Sequence, residues 1–517
     1  MLKIIINSVL AVGLFSVNLS PSNAEVKEVI LLHTNDIESV YEPIEAVWRD
    51  DIELIGGMPY LATLIQQVRA KESISFLLDA GDIYTGALSK KTLGKLPFDL
   101  YTAMGYDAVN IGNHEFEYGW KSLVETKPRA GFPVLNANVV HKLSDTMIAQ
   151  PYTILEQGGV KIGVIGVMGV DAFLNASAVF QRAELTIKDP IAVTQFWIDK
   201  IRADVDMVVV LTHQNKTAPM QSNKESDPAV QRGFHEDYEM AGKLSGADVI
   251  FGGHSDNGLL EPVVHPDTGT VIAITFGQGM HLGYTKFKVN TDKHNVSFVN
   301  GKLIPVNATN LPPEPKILAL IEHQRQAFPE LSKHVTNMTE SAMRLYNQES
   351  TIGNILTDIM RKKSGSDVAM LNSGSIRADL NKGEVTREHV MNVYPFVDNL
   401  YVVELSGKQL KELVEYSFTL PYGIAQFSGI KLTYDSSKPN MQRVESMLVD
   451  GQPIIDEQSY TVSTTAFVAK GGDGYEVFTK GKTTELDTML IDMFVEGLGK
   501  KRAFTLPELG RQVDINK

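Results

Sequence analysis

From Val29 to about Asn290, short β-rich apolar runs alternate with amphipathic segments, the pattern expected of strands and helices taking turns. Residues 60–71, 97–104, 191–202 and 236–244 fit helices lying between the strands. Such alternation predicts a layered α/β domain. A second mixed stretch begins near Asn337, with helices expected over 351–364, 407–417 and 484–496 and strands over 368–371, 400–405, 429–434 and 460–465. Between the two, residues 307–315 read Asn-Ala-Thr-Asn-Leu-Pro-Pro-Glu-Pro, too proline-rich for a helix, and a helical pattern follows over 316–327. The expected organisation is a first domain over 25–308, a linker with a helix over 309–336 and a second domain over 337–517.

Five of the apolar runs end in polar groups able to bind a metal. They are Leu31-Leu32-His33-Thr34-Asn35-Asp36-Ile37-Glu38, Phe76-Leu77-Leu78-Asp79-Ala80-Gly81-Asp82, Ala108-Val109-Asn110-Ile111-Gly112-Asn113-His114, Met207 to Thr212-His213, and Val249-Ile250-Phe251-Gly252-Gly253-His254-Ser255-Asp256. Taken singly, Asp36 reads as a helix cap, Asn113 as a turn residue, and His213 or His254 as core histidines. Together they stand where layered α/β folds gather ligands, beyond the carboxyl ends of strands. We therefore expect one site.

At 517 residues the chain is too long for a single core, and 43% apolar with 21% charged content describes an ordinary folded protein. Residues 1–24 read as an export signal: Lys3, an apolar stretch to about Val17, then Ser22-Asn23-Ala24 before Glu25. That apolar stretch is short of the roughly 20 residues a membrane span needs, so a periplasmic or secreted protein without a membrane anchor is expected. Loss of Lys3 would make the formal charge one unit more negative than −14, which disfavours binding to a nucleic-acid polymer. There is no cysteine, so any metal must be held by His, Asp, Glu or Asn. The oligomeric state is not written in these patterns.

Two divalent ions about 3.5–4 Å apart can clamp the attacking and leaving oxygens of a phosphoryl displacement. A bridging carboxylate suits that arrangement, and Asp82 after the small Gly81 is the candidate. The order Thr-Asn-Asp, Gly-Asp, Gly-Asn-His-Glu, Thr-His and Gly-Gly-His resembles the secreted 5′-nucleotidase family of calcineurin-like metallophosphoesterases. The second half carries that family's marks too: Asn372-Ser373-Gly374-Ser375-Ile376-Arg377, Tyr394-Pro395-Phe396, and Phe467-Val468-Ala469-Lys470-Gly471-Gly472-Asp473-Gly474-Tyr475.

The resemblance implies an α/β protein with an N-terminal four-layer metal domain, a linker helix and a C-terminal α/β nucleotide-binding domain that swings to deliver substrate. It implies one metal held by Asp82, Asn113, His213 and His254, and another held by Asp36, residue 38, Asp82 and residue 256. At those last two places the family has His, and His or Gln; this chain has Glu38 and Asp256. His114 falls on the histidine that stabilises the transition state, with Glu117 as its acidic partner in place of the usual Asp. Phe396 and Phe467 fall on the rings that sandwich the base, Arg377 with Asn372 behind it on a phosphate contact, and Asp473 in a turn able to bind ribose hydroxyls. Further family arginines fail to align, leaving Arg344 as the nearby candidate.

The acid-rich set is a hard oxygen site suited to manganese, magnesium or calcium, whereas the His-containing set suits zinc, iron or manganese. The expected partner is a small nucleotide, hydrolysed to nucleoside and phosphate. Two other readings stand beside it: a hydrolase of cyclic nucleotides or other phosphodiesters, and a nucleotide-binding protein with a degenerate metal site.

Overall fold

The computed structural model describes residues 26–46, 48–175, 182–215, 234–420 and 423–516; the expected export signal lies outside them. Two six-stranded sheets form the first half. In the first, Val26–Thr34 runs parallel to Ser75–Asp79, which is parallel to Ala108–Asn110. In the second, Met207–His213 lies parallel between Val160–Met168 and Val249–Phe251.

The alternation of side chains along a strand decides the layering. Val29, Leu31, Phe76 and Leu78 meet Val164, Val209, Leu211 and Phe251 between the sheets. Their neighbours Ile30, Leu32 and Leu77 face outward onto Leu61, Phe98 and Tyr101 of the helices Met58–Arg69 and Lys95–Met104. Across the molecule, Val208, Val210 and Ile250 face Ile198 and Met240 of the helices Pro190–Ile201 and His235–Lys243. The result is four layers: helix, sheet, sheet, helix.

The helix Pro315–Ala327 packs back onto the first half, burying Ile317 and Ile321 in its core. The second half is built on a five-stranded sheet in which Val368–Leu371 and Ser459–Thr465 lie side by side and Asn399–Ser406 follows. Helices Thr351–Ser364 and Gly407–Ser417 start on serines whose hydroxyls accept a backbone N–H, Ser350 from Gly353 and Ser406 from Gln409.

One expected element is corrected. The helix read over 484–496 is a strand, Lys482–Met489, followed by a helix, Leu490–Gly499. Thr483 and Thr484 are β-branched, and the strand is an edge whose pairing with Asn399–Ser406 is finished by Glu485, which accepts from Asn399 Nδ2 and the Tyr401 hydroxyl, each at 2.7 Å. Its mostly exposed side chains carry too little apolar alternation to be recognised.

The halves are clasped at Glu42. One of its oxygens accepts from Arg325 of the linker helix at 2.8 Å, the other stands 3.1 Å from His389 Nε2, and Arg325 also pairs with Glu388 at 2.9 Å. The His389 hydrogen bond holds the Glu42 carboxyl down at about 2. Burial disfavours the charged imidazole, but Glu42 outweighs it and raises His389 above its ordinary value. The stabilisation is therefore complete above the unfolded Glu value of 4.5 and below the unfolded His value of 6.5, and it is lost as pH rises through the folded His389 value. His389→Gln is expected to remove that alkaline loss, an effect under about 1 kcal/mol for so exposed a pair. Thermal midpoints of both proteins at about pH 6 and about pH 8.5 check it.

Candidate metal and phosphate site

Beyond the strand ends, one atom each of Asp82, His213 and His254 lies within 4.8 Å of the others, the one such acidic and imidazole cluster among the described residues. His213 Nδ1 is 3.0 Å from the Ala80 carbonyl, which can only accept, so the proton sits there and Nε2 is turned to the cluster. Around that Nε2 stand Asp82 Oδ2 and Asn113 Oδ1, each at 3.0 Å, and Asp36 Oδ1 at 3.9 Å. Asp82 Oδ1 accepts from the His114 N–H at 2.7 Å.

The loops that deliver these groups are tightly folded. Asp36, Glu38, Asp82, His254 and Asp256 all have positive φ, between 51° and 82°, a backbone state that non-glycine residues adopt reluctantly. Tertiary hydrogen bonds hold them there: the His254 N–H donates to both Asp36 oxygens at 3.0 and 2.9 Å, and the Glu38 N–H to the Asp82 carbonyl at 3.0 Å. At Gly112 a Cβ would stand 2.2 Å from Asp82 Oδ1, so only glycine lets the third loop pass.

The organiser of this turn is Glu115, to which the motif reading assigned no role. Its Oε2 accepts from the N–H groups of Gly112 at 2.6 Å and Asp82 at 3.0 Å, and its Oε1 from Ile83 at 2.8 Å and Tyr84 at 3.1 Å. Its place inside Gly112-Asn113-His114-Glu115 was the available signal. Asp237 plays a similar part for the strand that ends in His213, accepting from Thr212 Oγ1 at 2.6 Å and from Gln214 at 2.9 Å.

Charge is crowded here. Burial, with Asp256 and Asp82 nearby, pushes Asp36 well above the carboxylate range, and burial with Glu38 nearby pushes Asp256 up to about 7. Burial also acts on Asp82, but His213 and His114 outweigh it and hold that carboxyl below its ordinary value. His213 rises to about 9 because Asp82 and Asp36 overcome its burial, while burial and His213 drive His254 down to about 3. A divalent cation relieves this crowding. The donor set of Asp82, Asn113, His213 and His254 fits one: the tautomer is fixed, the donors converge, and the mix of oxygen and imidazole suits zinc, iron or manganese.

Glu38 borders this cluster and pairs with a cation of the second half. Its Oε1 is 2.8 Å from Arg377 Nη2 and 3.2 Å from His114 Nε2. His114 Nδ1 is bound to Glu117 at 2.6 Å, and its Nε2 is 2.9 Å from Arg377. Burial disfavours the charged ring, yet Asp82, Glu117 and Glu38 hold it up at about 10. Arg344 Nη1 donates to the Arg377 carbonyl at 2.8 Å, and both arginines line a cavity of about 300 Å³ with Glu38.

The remaining substrate candidates cluster in the second half. Asn372 Nδ2 donates to Asp473 at 2.7 Å. Phe396 and Phe467 are 40% and 53% exposed, which excludes a core role for either ring. Asp398, also absent from the sequence reading, ties their loops together by accepting from the Ala466 and Phe467 N–H groups at 3.2 and 3.4 Å.

Comparison with known proteins agrees with this layout. The calcineurin-like phosphoesterase model matches residues 31–256, and the 5′-nucleotidase C-terminal domain model matches residues 332–480. The 5′-nucleotidase of Bos taurus is 29% identical over 88% of this chain and 85% of its own length. That of Homo sapiens is 28% identical over 87% and 84%. Among solved structures, a 5′-nucleotidase precursor from Thermus thermophilus superposes with a TM-score of 0.79 at 24% identity, covering 95% of this chain and 100% of that one. A sulfate thiohydrolase from Thermus thermophilus shares the fold as well, with a TM-score of 0.76 at 18% identity over 95% of this chain and 97% of its own. The fold by itself therefore names no substrate. The chain thus joins a calcineurin-like phosphoesterase domain to a 5′-nucleotidase C-terminal domain, and it is similar along most of its length to proteins named 5′-nucleotidase.

Proposed function

We propose that the protein hydrolyses nucleotides outside the cytoplasm, releasing nucleoside and inorganic phosphate. The observation that carries this reading is Arg377: it belongs to the half that bears the two exposed rings, yet ends 2.9 Å from His114 beside the cation cluster. A divalent cation bound by Asp82, Asn113, His213 and His254 would supply Lewis acidity and lower the pKa of water.

This chain's own residues supply the rest. Phe396 and Phe467 offer the base two π faces, and Asp473 offers the ribose hydroxyls an acceptor. Arg377 presents a planar fork of donors to phosphate, with Arg344 anchored behind it. His114, oriented by Glu117, is placed to donate to a phosphoryl oxygen as charge builds. Water oxygen joins phosphorus, the ester P–O bond breaks, and the leaving oxygen departs protonated as the nucleoside hydroxyl.

The test is phosphate release by the purified protein from adenosine 5′-monophosphate, set against a 2′,3′-cyclic nucleotide, with and without a chelator. Chelator-sensitive release from the monophosphate is expected; preferential turnover of the cyclic ester would replace this reading with the phosphodiester one. Phe467→Ala is expected to raise KM about 5- to 150-fold, the worth of one base stack at roughly 1–3 kcal/mol. Because the ring is exposed, the thermal midpoint should not move.

A further inference from the structure

The acid-rich half of the expected two-metal centre does not fit a cation in the way the His-containing half does. Glu38, Asp36, Asp82 and Asp256 would have to converge on one ion. Instead Glu38 Oε1 takes the Arg377 guanidinium at 2.8 Å and the His114 ring at 3.2 Å, in a pocket where its side chain is only 6% exposed. Asp36 has both oxygens under the His254 N–H, and its Oδ2 also accepts from Asn35 Nδ2 at 2.7 Å. Asp82 is turned to His213 and His254. Asp256 Oδ1 is buried with no hydrogen-bond partner among the described residues. Among the described residues no three of these four carboxylates bring oxygens within 4.8 Å of one another, as Asp82, His213 and His254 do their ligand atoms.

Resting on the phosphoesterase reading above, we infer that the Arg377 guanidinium stands in the place of the first of the family's two cations, with Glu38 as its counter-ion and not a metal ligand. Glu38 Oε1 already offsets both the Arg377 guanidinium and the His114 ring, so a dication on the same oxygen would set its charge against the two of them. A histidine at position 38, as in the family pattern, would be neutral and would not draw the guanidinium in. Glutamate supplies the charge that does. The exchange also makes the centre composite: its cation ligands come from the first half and its second positive charge from residue 377 of the other half.

This arrangement gives Glu38 a positioning role. By fixing one edge of the guanidinium beside His114, it aims the remaining donors of Arg377 at the phosphate. Arg344, held to the Arg377 carbonyl and to the Tyr346 hydroxyl at 3.0 Å, braces the loop from behind.

The experiment loads metal-stripped full-length protein with manganese, removes unbound ion, and reads ions per chain by elemental analysis together with the electron paramagnetic resonance spectrum. The expected result is about one manganese per chain with an uncoupled spectrum, rising to about two with spin–spin coupling in Arg377→Ala, where Glu38 is released. Glu38→His should likewise bind about two. Circular dichroism verifies that each variant is folded, and either variant suffices if the other is not. A coupled pair in the unaltered protein overturns the inference while leaving the phosphoesterase reading intact. So does a folded Arg377→Ala that stays at one ion. Binding of no ion by the unaltered protein overturns both.

Discussion

Asp82→Asn is expected to lower nucleotide hydrolysis by about a thousandfold or more, because a Lewis-acidic cation is worth several kcal/mol of transition-state stabilisation and each 1.4 kcal/mol is a factor of ten. Asp82 is the one carboxylate in the cluster with His213 and His254, so its charge is what holds the cation between two imidazoles. The substitution is isosteric, and the amide oxygen can still accept from the His114 N–H now bonded at 2.7 Å, so the loop keeps its course. Steady-state rates and elemental analysis of the same preparation check the two halves of this expectation. Unchanged turnover would remove the cation cluster from the chemistry altogether.

The second large effect is expected at Glu115. In Glu115→Gln the Oε1 position still accepts from Ile83 and Tyr84, but an NH₂ group now faces the N–H groups of Asp82 and Gly112. Each buried donor left without an acceptor costs about 1–3 kcal/mol, so with two such donors the first half should lose roughly 2–6 kcal/mol. The same turn positions Asp82 and Asn113, and outer partners of metal ligands typically control about 10- to 100-fold in metal affinity. Denaturant titration and metal-binding titration should therefore shift together. A fall in stability with no change in metal affinity would make Glu115 a purely structural residue.

What could be read in the sequence follows what is local. Apolar runs such as Val208-Val209-Val210-Leu211 are buried on both faces, and nothing but a central strand uses them that way. Their polar ends were therefore visible as a group, as were serine-capped helices such as the one begun by Ser350. The strand Lys482–Met489 was not, because it is an exposed edge whose identity lies in its pairing with a segment some eighty residues earlier. The site divides in the same way. Residue types at 36, 82, 113, 213 and 254 announce metal chemistry, but the left-handed backbone at Asp36, Asp82 and His254 is imposed by hydrogen bonds between distant loops and leaves no glycine to mark it. Glu38 is the sharpest case. Nothing near Asp36 announces the Arg377 guanidinium, which pairs with Glu38 at 2.8 Å from 339 positions along the chain.

That separation bears on the order in which the protein becomes competent. Domains generally fold as units, the N-terminal one first during synthesis. A nascent chain that has emerged only through Pro305 already contains both six-stranded sheets and every member of the cation cluster. His114 meets its guanidinium neighbour only after a further stretch of translation, since the two lie 263 positions apart. The growing polypeptide would thus carry a metal-ready but phosphate-blind half, and hydrolysis would begin only when the last-made domain docks, a built-in delay between folding and activity.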